Sequence, residues 1–555
     1  MRPARHLLPS RALLCTVAAA GAVLVAPLAA GPGRNTAPDN ATINHVLNRM
    51  TFGPRPGDVE RVSKMGLDAY VDEQLHPERI DDSALDARLA SFETLTMSSA
   101  DLAEQYFEPA MAARREVKQA SSASDDKKDD RTPAERQALA AQRTVLSELT
   151  QARMLRATMS ERQLQEVLTD FWLNHFNVFV GKGLVREYLT EYERDAIRPH
   201  VLGHFRDLLG AVAHSPAMLF YLDNWQSSTP TPSIDPQRAN LLRRRAMGAR
   251  LTPEQRDRLM GRLPANGQAQ RPTRGINENY ARELMELHTL GVDGGYTQDD
   301  VIALAKILTG WTIDRPRQGG AFVFRPAMHD TSTKTVLGVT FAPDGEREGE
   351  KALDLLARHP ATAHHIAYEL SQRFVADEPP AALVDRAAKT FRDTNGDLRE
   401  VVRTIVTSPE FLASGTRRAK VKTPLEFVAS AVRTTNATIE SAQPLVAALQ
   451  TLGMPLYGCQ PPTGYGTSAT DWVNTGALIN RMNVAVRLVS GVPRAPVHVD
   501  VRALAPDTSA ASQDAIVASV LAGTVSASTR STLARADTPQ NLIALALGSP
   551  EFQRR

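Results

Sequence analysis

Apolar residues recur at helical spacing along most of the chain, while stretches alternating at strand spacing are few. Between Ser160 and Val178, Leu164, Val167, Leu168, Phe171 and Trp172 form one stripe, and continuing its period places His175 on the buried side. Ser160 and Gln163 have the spacing of a capping box at its start. Asn277 to Gly291 reads as a second helix with an Asn start and a Gly stop. At 100° per residue, Tyr280, Ala281, Leu284, Met285, Leu287 and Leu290 share one arc. Glu283 and His288 fall inside that arc, and Arg282 and Glu286 pair on the opposite face. A first helix begins near Thr42. Thr132-Pro133-Ala134-Glu135 opens a long helix toward Met159, and Thr252-Pro253-Glu254-Gln255 repeats that signature. The strand signals are Ala321 to Phe324 and Thr335 to Phe341, read as one short hairpin around a loop that holds His329 and Asp330. These patterns predict a mainly α, multi-helix globular body with one short β-hairpin.

The N-terminus breaks the pattern. Arg2, Arg5 and Arg11 precede an uncharged run from Ala12 to Ala30, so residues 1–30 read as a signal peptide for general secretion. Small residues at Ala29, Ala30 and Gly31 offer the cleavage point; a retained membrane anchor is the alternative, disfavoured by Pro27 and the Ala/Gly content. Residues 31–40 form a spacer, 41–490 a helical core, and 491–555 C-terminal helices packing on it. Two polar inserts, 116–131 and 227–275, interrupt the core. Cleavage would leave Cys459 as the only cysteine, which excludes an internal disulfide. With 64 basic and 62 acidic side chains the net charge is +2, too small a field to make nucleic acid an expected partner. The arginines from Arg238 to Arg262 are therefore read as a solvated face in preference to a polyanion site.

Histidines and carboxylates on apolar faces carry the candidate chemistry, because such groups need partners once buried. Glu283 and His288 are the candidate catalytic pair. His175, Glu283, His329 and Asp330 are the candidate metal ligands, a mixed nitrogen and oxygen set suited to iron, manganese or zinc. The structural alternatives are His175 bonded to a carbonyl, to Asn174 or to Asn177, Glu283 bridged to Arg274 or Arg186, and His329 and Asp330 as innocuous exposed groups of a loop. His359, His364 and His365 are read as surface or capping residues. No His-Glu-x-x-His, Walker loop, Cys pair or Gly-x-Ser-x-Gly elbow is present.

Six motifs carry a resemblance: Leu47 to Pro54, Asp170 to Val178, Asn279 to Gly291, Gly295 to Asp300, Thr309 to Thr312 and Lys420 to Pro424. Together they resemble the bacterial family catalogued as domain of unknown function 1800, over almost the whole chain beyond the signal. The resemblance implies a large exported protein, often encoded beside an exported phosphatase- or sulfatase-like partner, and brings no catalytic residues with it. Two functions stand as expectations: a metal-dependent envelope oxidoreductase or hydrolase, periplasmic or extracellular, and alternatively a non-catalytic helical binding or scaffold protein of the cell envelope.

Overall fold

The computed structural model describes residues 39–121, 132–229, 275–490 and 495–555. The expected signal peptide, most of the spacer, the greater part of both inserts and the Thr252 capping signature lie outside them. The described chain is mainly helical, and its helices bury one extended apolar cluster running from Ile43 to Phe552. Among the described residues no helix is long and apolar enough to cross a membrane.

The helix starts arise from local chemistry. Asp39 accepts from the Thr42 amide at 2.7 Å and begins Asn40–Met50, two residues earlier than its periodicity suggests. Thr132 and Glu135 close the expected capping box, with Pro133 at the first position of a helix that runs to Met159. Ser160 behaves differently from its reading. It ends that helix, and its hydroxyl donates to Asp82 at 2.6 Å while Arg162 precedes the next helix, Gln163–His175. Thr297 and Asp300 form a capping box on Gln298–Ile307, and Asn277 caps Glu278–Met285. Proline again occupies the first turn of Pro360–Phe374 and of Pro424–Thr434.

The expected single hairpin is replaced by separate two-stranded antiparallel ribbons. β1 (Trp311–Ile313) pairs with β2 (Phe322–Phe324), and β3 (Lys334–Val336) pairs with β4 (Val339–Phe341). The reason lies at Leu337 and Gly338, which turn through φ +49° and +76°. Two successive left-handed residues make the tight turn that folds 334–341 back on itself, so this segment is a hairpin by itself and leaves Phe322–Phe324 to Trp311. A third ribbon joins β5 (Thr438–Ile439) to β6 (Val497–His498).

Leu542 and Ile543 of Pro539–Gly548 belong to the common cluster, and the chain end pairs with the strand-like Lys420 to Lys422 through Lys422 N to Gln553 O at 2.9 Å.

Candidate functional site

The Gln163–His175 helix delivers His175 at its last residue, with Trp172 edge-on at 5.3 Å between ring centres and Phe176 at 4.4 Å. Opposite it, the Pro360–Phe374 helix presents His365 and Glu369, four residues apart on one face. His175 Nδ1 lies 2.6 Å from Glu369 Oε2, and His365 Nε2 lies 3.6 Å from Glu369 Oε1. One nitrogen from each histidine and one oxygen of Glu369 fall within 4.8 Å of one another.

The other nitrogen of His175 faces the carbonyl of His288 at 3.3 Å. Both ring nitrogens therefore point at oxygens that only accept. A neutral imidazole can donate to one of them only. If Nε2 donates to the carbonyl, the bare Nδ1 lone pair confronts a carboxylate, an arrangement that needs a cation, either a proton or a metal ion, between them. Burial works against ionisation of Glu369, but the neighbouring His175 outweighs it and holds the carboxyl below its ordinary range. His365 is held low by burial, against the attraction of Glu369, which favours the neutral form that binds metals.

These groups line a cavity of about 320 Å³. Its walls also carry Asp170, Glu286, Tyr465, Lys420, Arg373 and Glu426. Asn174 shapes one side, donating to the Tyr465 carbonyl at 2.9 Å and accepting from its amide at 2.7 Å. Lys420 pairs with Asp377, Arg373 with Glu426 at 2.8 Å, and Asp170 with Arg153 at 2.5 Å. Three of the family-like motifs, at Asp170, at Glu286 and at Lys420, thus face one space.

Four of the five candidate residues stand apart from this cluster. His288 is buried, and its ring is absent from the cavity wall; burial and the nearby His175 push it down to about 3, so it is neutral. What reaches His175 is its backbone carbonyl. Glu283 is half-buried, does not line the cavity and makes no ion pair with Arg186; Arg274 lies outside the described residues. Burial, then Glu286, raises its carboxyl above the usual range. The helical wheel does place His288 on the buried side, but it misplaces Glu286, because the helix changes form there and Glu286–Leu290 make a π turn. Thr289 Oγ1 reaches back five residues to the Leu284 carbonyl at 2.7 Å. The wider turn reorients the side chains along it, so Glu286 leaves Arg282, faces the cavity and accepts from Tyr296 at 3.0 Å.

His329 and Asp330 belong to a different network. His329 Nε2 meets Glu348 at 3.0 Å and Lys334 Nζ meets the same carboxylate at 2.8 Å, all three buried. Asp330 accepts from the Ser332 amide at 2.9 Å. Each group is satisfied where it stands, so this pair holds β3 to the helix Glu346–Arg358 and shares no partner with His175.

Sequence periodicity did place His175 on its buried stripe, but it missed His365, Glu369 and Glu286. His359 does cap its helix, accepting from the Ala361 amide at 3.2 Å, and His364 is exposed; His365 is the exception among the three. The available signal was the spacing of His365 and Glu369, a histidine and a carboxylate one turn apart.

No curated protein and no solved structure matches the chain. The family described as protein of unknown function (DUF1800) matches residues 45–554, nearly its full length and including every residue of the cluster. The chain belongs to the DUF1800 family.

Proposed function

We propose that this protein is an exported, metal-dependent enzyme of the cell envelope, an oxidoreductase or hydrolase, whose divalent cation is held by His175, His365 and Glu369. The observation that carries this reading is His175 with an acceptor at each nitrogen, beside a second histidine and a carboxylate on the wall of an open cavity. Two imidazoles and one carboxylate are a donor set used for iron, manganese and zinc, and they leave coordination positions free toward the cavity. A cation there would supply Lewis-acid polarisation or an activated water. Donation from His175 Nε2 to the His288 carbonyl would leave Nδ1 bare for the cation, the arrangement common in metal-ligating histidines. The basic run at Arg2, Arg5 and Arg11 before an apolar stretch supports export through a general secretory signal. An exported phosphatase- or sulfatase-like protein as partner rests on the family resemblance alone.

Trp172 offers the test, because its ring lies 5.3 Å from that of His175. Titration with cobalt or manganese should quench its fluorescence saturably, and Glu369→Gln should weaken that quenching at least tenfold. The alternative, an imidazolium–carboxylate pair in a binding or scaffold protein, predicts no saturable quenching and a stability loss in Glu369→Gln that metal does not alter.

A further inference from the structure

A second cavity of about 320 Å³ opens between the first helix and the C-terminal segments, and its charge is one-sided. Arg417, Arg418, Lys422, Arg554 and Arg555 line it together with His45, which burial, then Arg49, pushes down to about 4 and so leaves neutral. Glu551 is the one acidic side chain on the wall among the described residues, and it is committed elsewhere: it accepts from the Ser526 amide at 2.8 Å and from Thr529 Oγ1 at 2.7 Å.

Arg417 reaches Asp39 at 3.6 Å, but the cations deeper in the wall are poorly compensated. Arg418 donates to the carbonyls of Leu521 and Thr524, which carry no formal charge. Arg555 is buried and reaches Glu426 at 2.9 Å, but that carboxylate is shared with Arg373, and Arg555 Nη1 has no hydrogen-bond partner among the described residues. Lys422 is the most telling. It is 4% exposed, its ammonium makes no hydrogen bond to a described residue, and its nearest support is the Phe552 ring at 3.8 Å. A buried ammonium without a hydrogen-bonding partner is costly. Its remaining polar outlet is the cavity it lines. Burial, with Arg555 and Arg481 opposing the pull of Glu426, brings Lys422 down to about 7, and an anion in the cavity would favour its charged form.

We propose that this cavity binds a small oxyanion, phosphate or sulfate, free or as the terminal group of an ester, with Lys422 and Arg555 holding it from within and Arg418 and Arg554 at the exposed side. Several acceptor oxygens and one to two negative charges match a cluster of fixed N–H donors better than chloride does. Arg555 borders both cavities, but none of His175, His365 and Glu369 lines this one, so either site can fail alone.

Thermal unfolding and calorimetric titration of the full chain with inorganic phosphate, sulfate and phenyl phosphate, at ionic strength held constant with chloride, test it. Phosphate or sulfate should raise the melting temperature saturably. Arg554→Gln, an exposed substitution expected to fold, should raise the dissociation constant about tenfold. Lys422→Met should remove the stabilisation by phosphate while matching or exceeding the wild type in chloride alone. Lys182→Met, at an exposed pair with Asp223, should leave binding unchanged. Stabilisation by phenyl phosphate as well would identify an ester group as the ligand, and stabilisation by inorganic ions alone would identify a free ion. No saturable effect of phosphate or sulfate, or an effect that Arg554→Gln leaves intact, overturns the proposal.

Discussion

His45 and His288 show how strongly a buried ring depends on its surroundings. Burial is the larger cause in both, followed by Arg49 beside His45 and His175 beside His288, and the rings titrate near 4 and near 3 in place of 6.5. The unfolded chain therefore binds more protons than the folded one between these values and 6.5. Their contribution to stability is complete above about 6.5 and is lost as the pH falls through the window. Glu187, raised to about 7 by burial, acts in the opposite sense over part of that range, since it keeps its proton in the fold up to about 7. The comparison that isolates His288 is thus wild type against His288→Leu in denaturant titrations at pH 7 and 4.5. The stability difference between them should shift against the wild type by about 2 kcal/mol at the lower pH. An unchanged difference would mean that His288 is hydrated or paired.

At the scale of elements, the π turn Glu286–Leu290 decides which groups face the metal cluster. It brings the His288 carbonyl to His175 and turns Glu286 into the cavity. Thr289→Val removes a buried hydrogen bond to Leu284 and should cost about 1 kcal/mol in thermal unfolding, with weaker metal binding if the turn relaxes toward α geometry. Gly291 ends the turn at φ +81°, and a Cβ there would come within 3.1 Å of His365 Nδ1. Gly291→Ala should therefore destabilise by about 1–2 kcal/mol and displace His365; calorimetry with and without metal separates the two effects, and a fully stable, metal-competent variant would contradict them. The same turn explains how far the chain could be read in advance. The capping signatures at Thr132 and Asn277 act through neighbours within three residues, so they were recoverable, and so was the buried side of His175. A wheel at 100° per residue fails at Glu286, where the hydrogen bonds lengthen by one residue. The pairing of His175 with Glu369 joins residues 194 apart, and no local pattern reports such a meeting; the (i, i+4) spacing of His365 and Glu369 hinted at a shared face but not at what faces it.

For the whole molecule, one apolar cluster running from Ile43 to Phe552 ties the first helix to the last. Charged groups cross-brace it: Glu193, held down to about 2 because Arg198, Arg156 and Arg153 overcome its burial, accepts from Tyr457. Glu193→Gln would strand Arg156, whose only carboxylate partner among the described residues it is, and leave Arg198 with Glu166 alone; it should lower stability by about 3 kcal/mol, measured by chemical denaturation, and a loss below about 1 kcal/mol would show Arg156 to be solvated. Protein recovered from outside the cytoplasm should begin near residue 31, the expected cleavage point after Ala30, when its N-terminus is sequenced by mass spectrometry; a chain that still begins at Met1 would contradict export with cleavage. The central claim is that His175, His365 and Glu369 bind a cation. Its most direct test is the metal content of purified protein after incubation with iron, manganese or zinc and removal of excess, compared with a His365→Ala/Glu369→Gln double variant shown to be folded. The account predicts about one equivalent per chain in the wild type and its loss in the variant. No bound metal in the wild type, or equal metal in both, would contradict it.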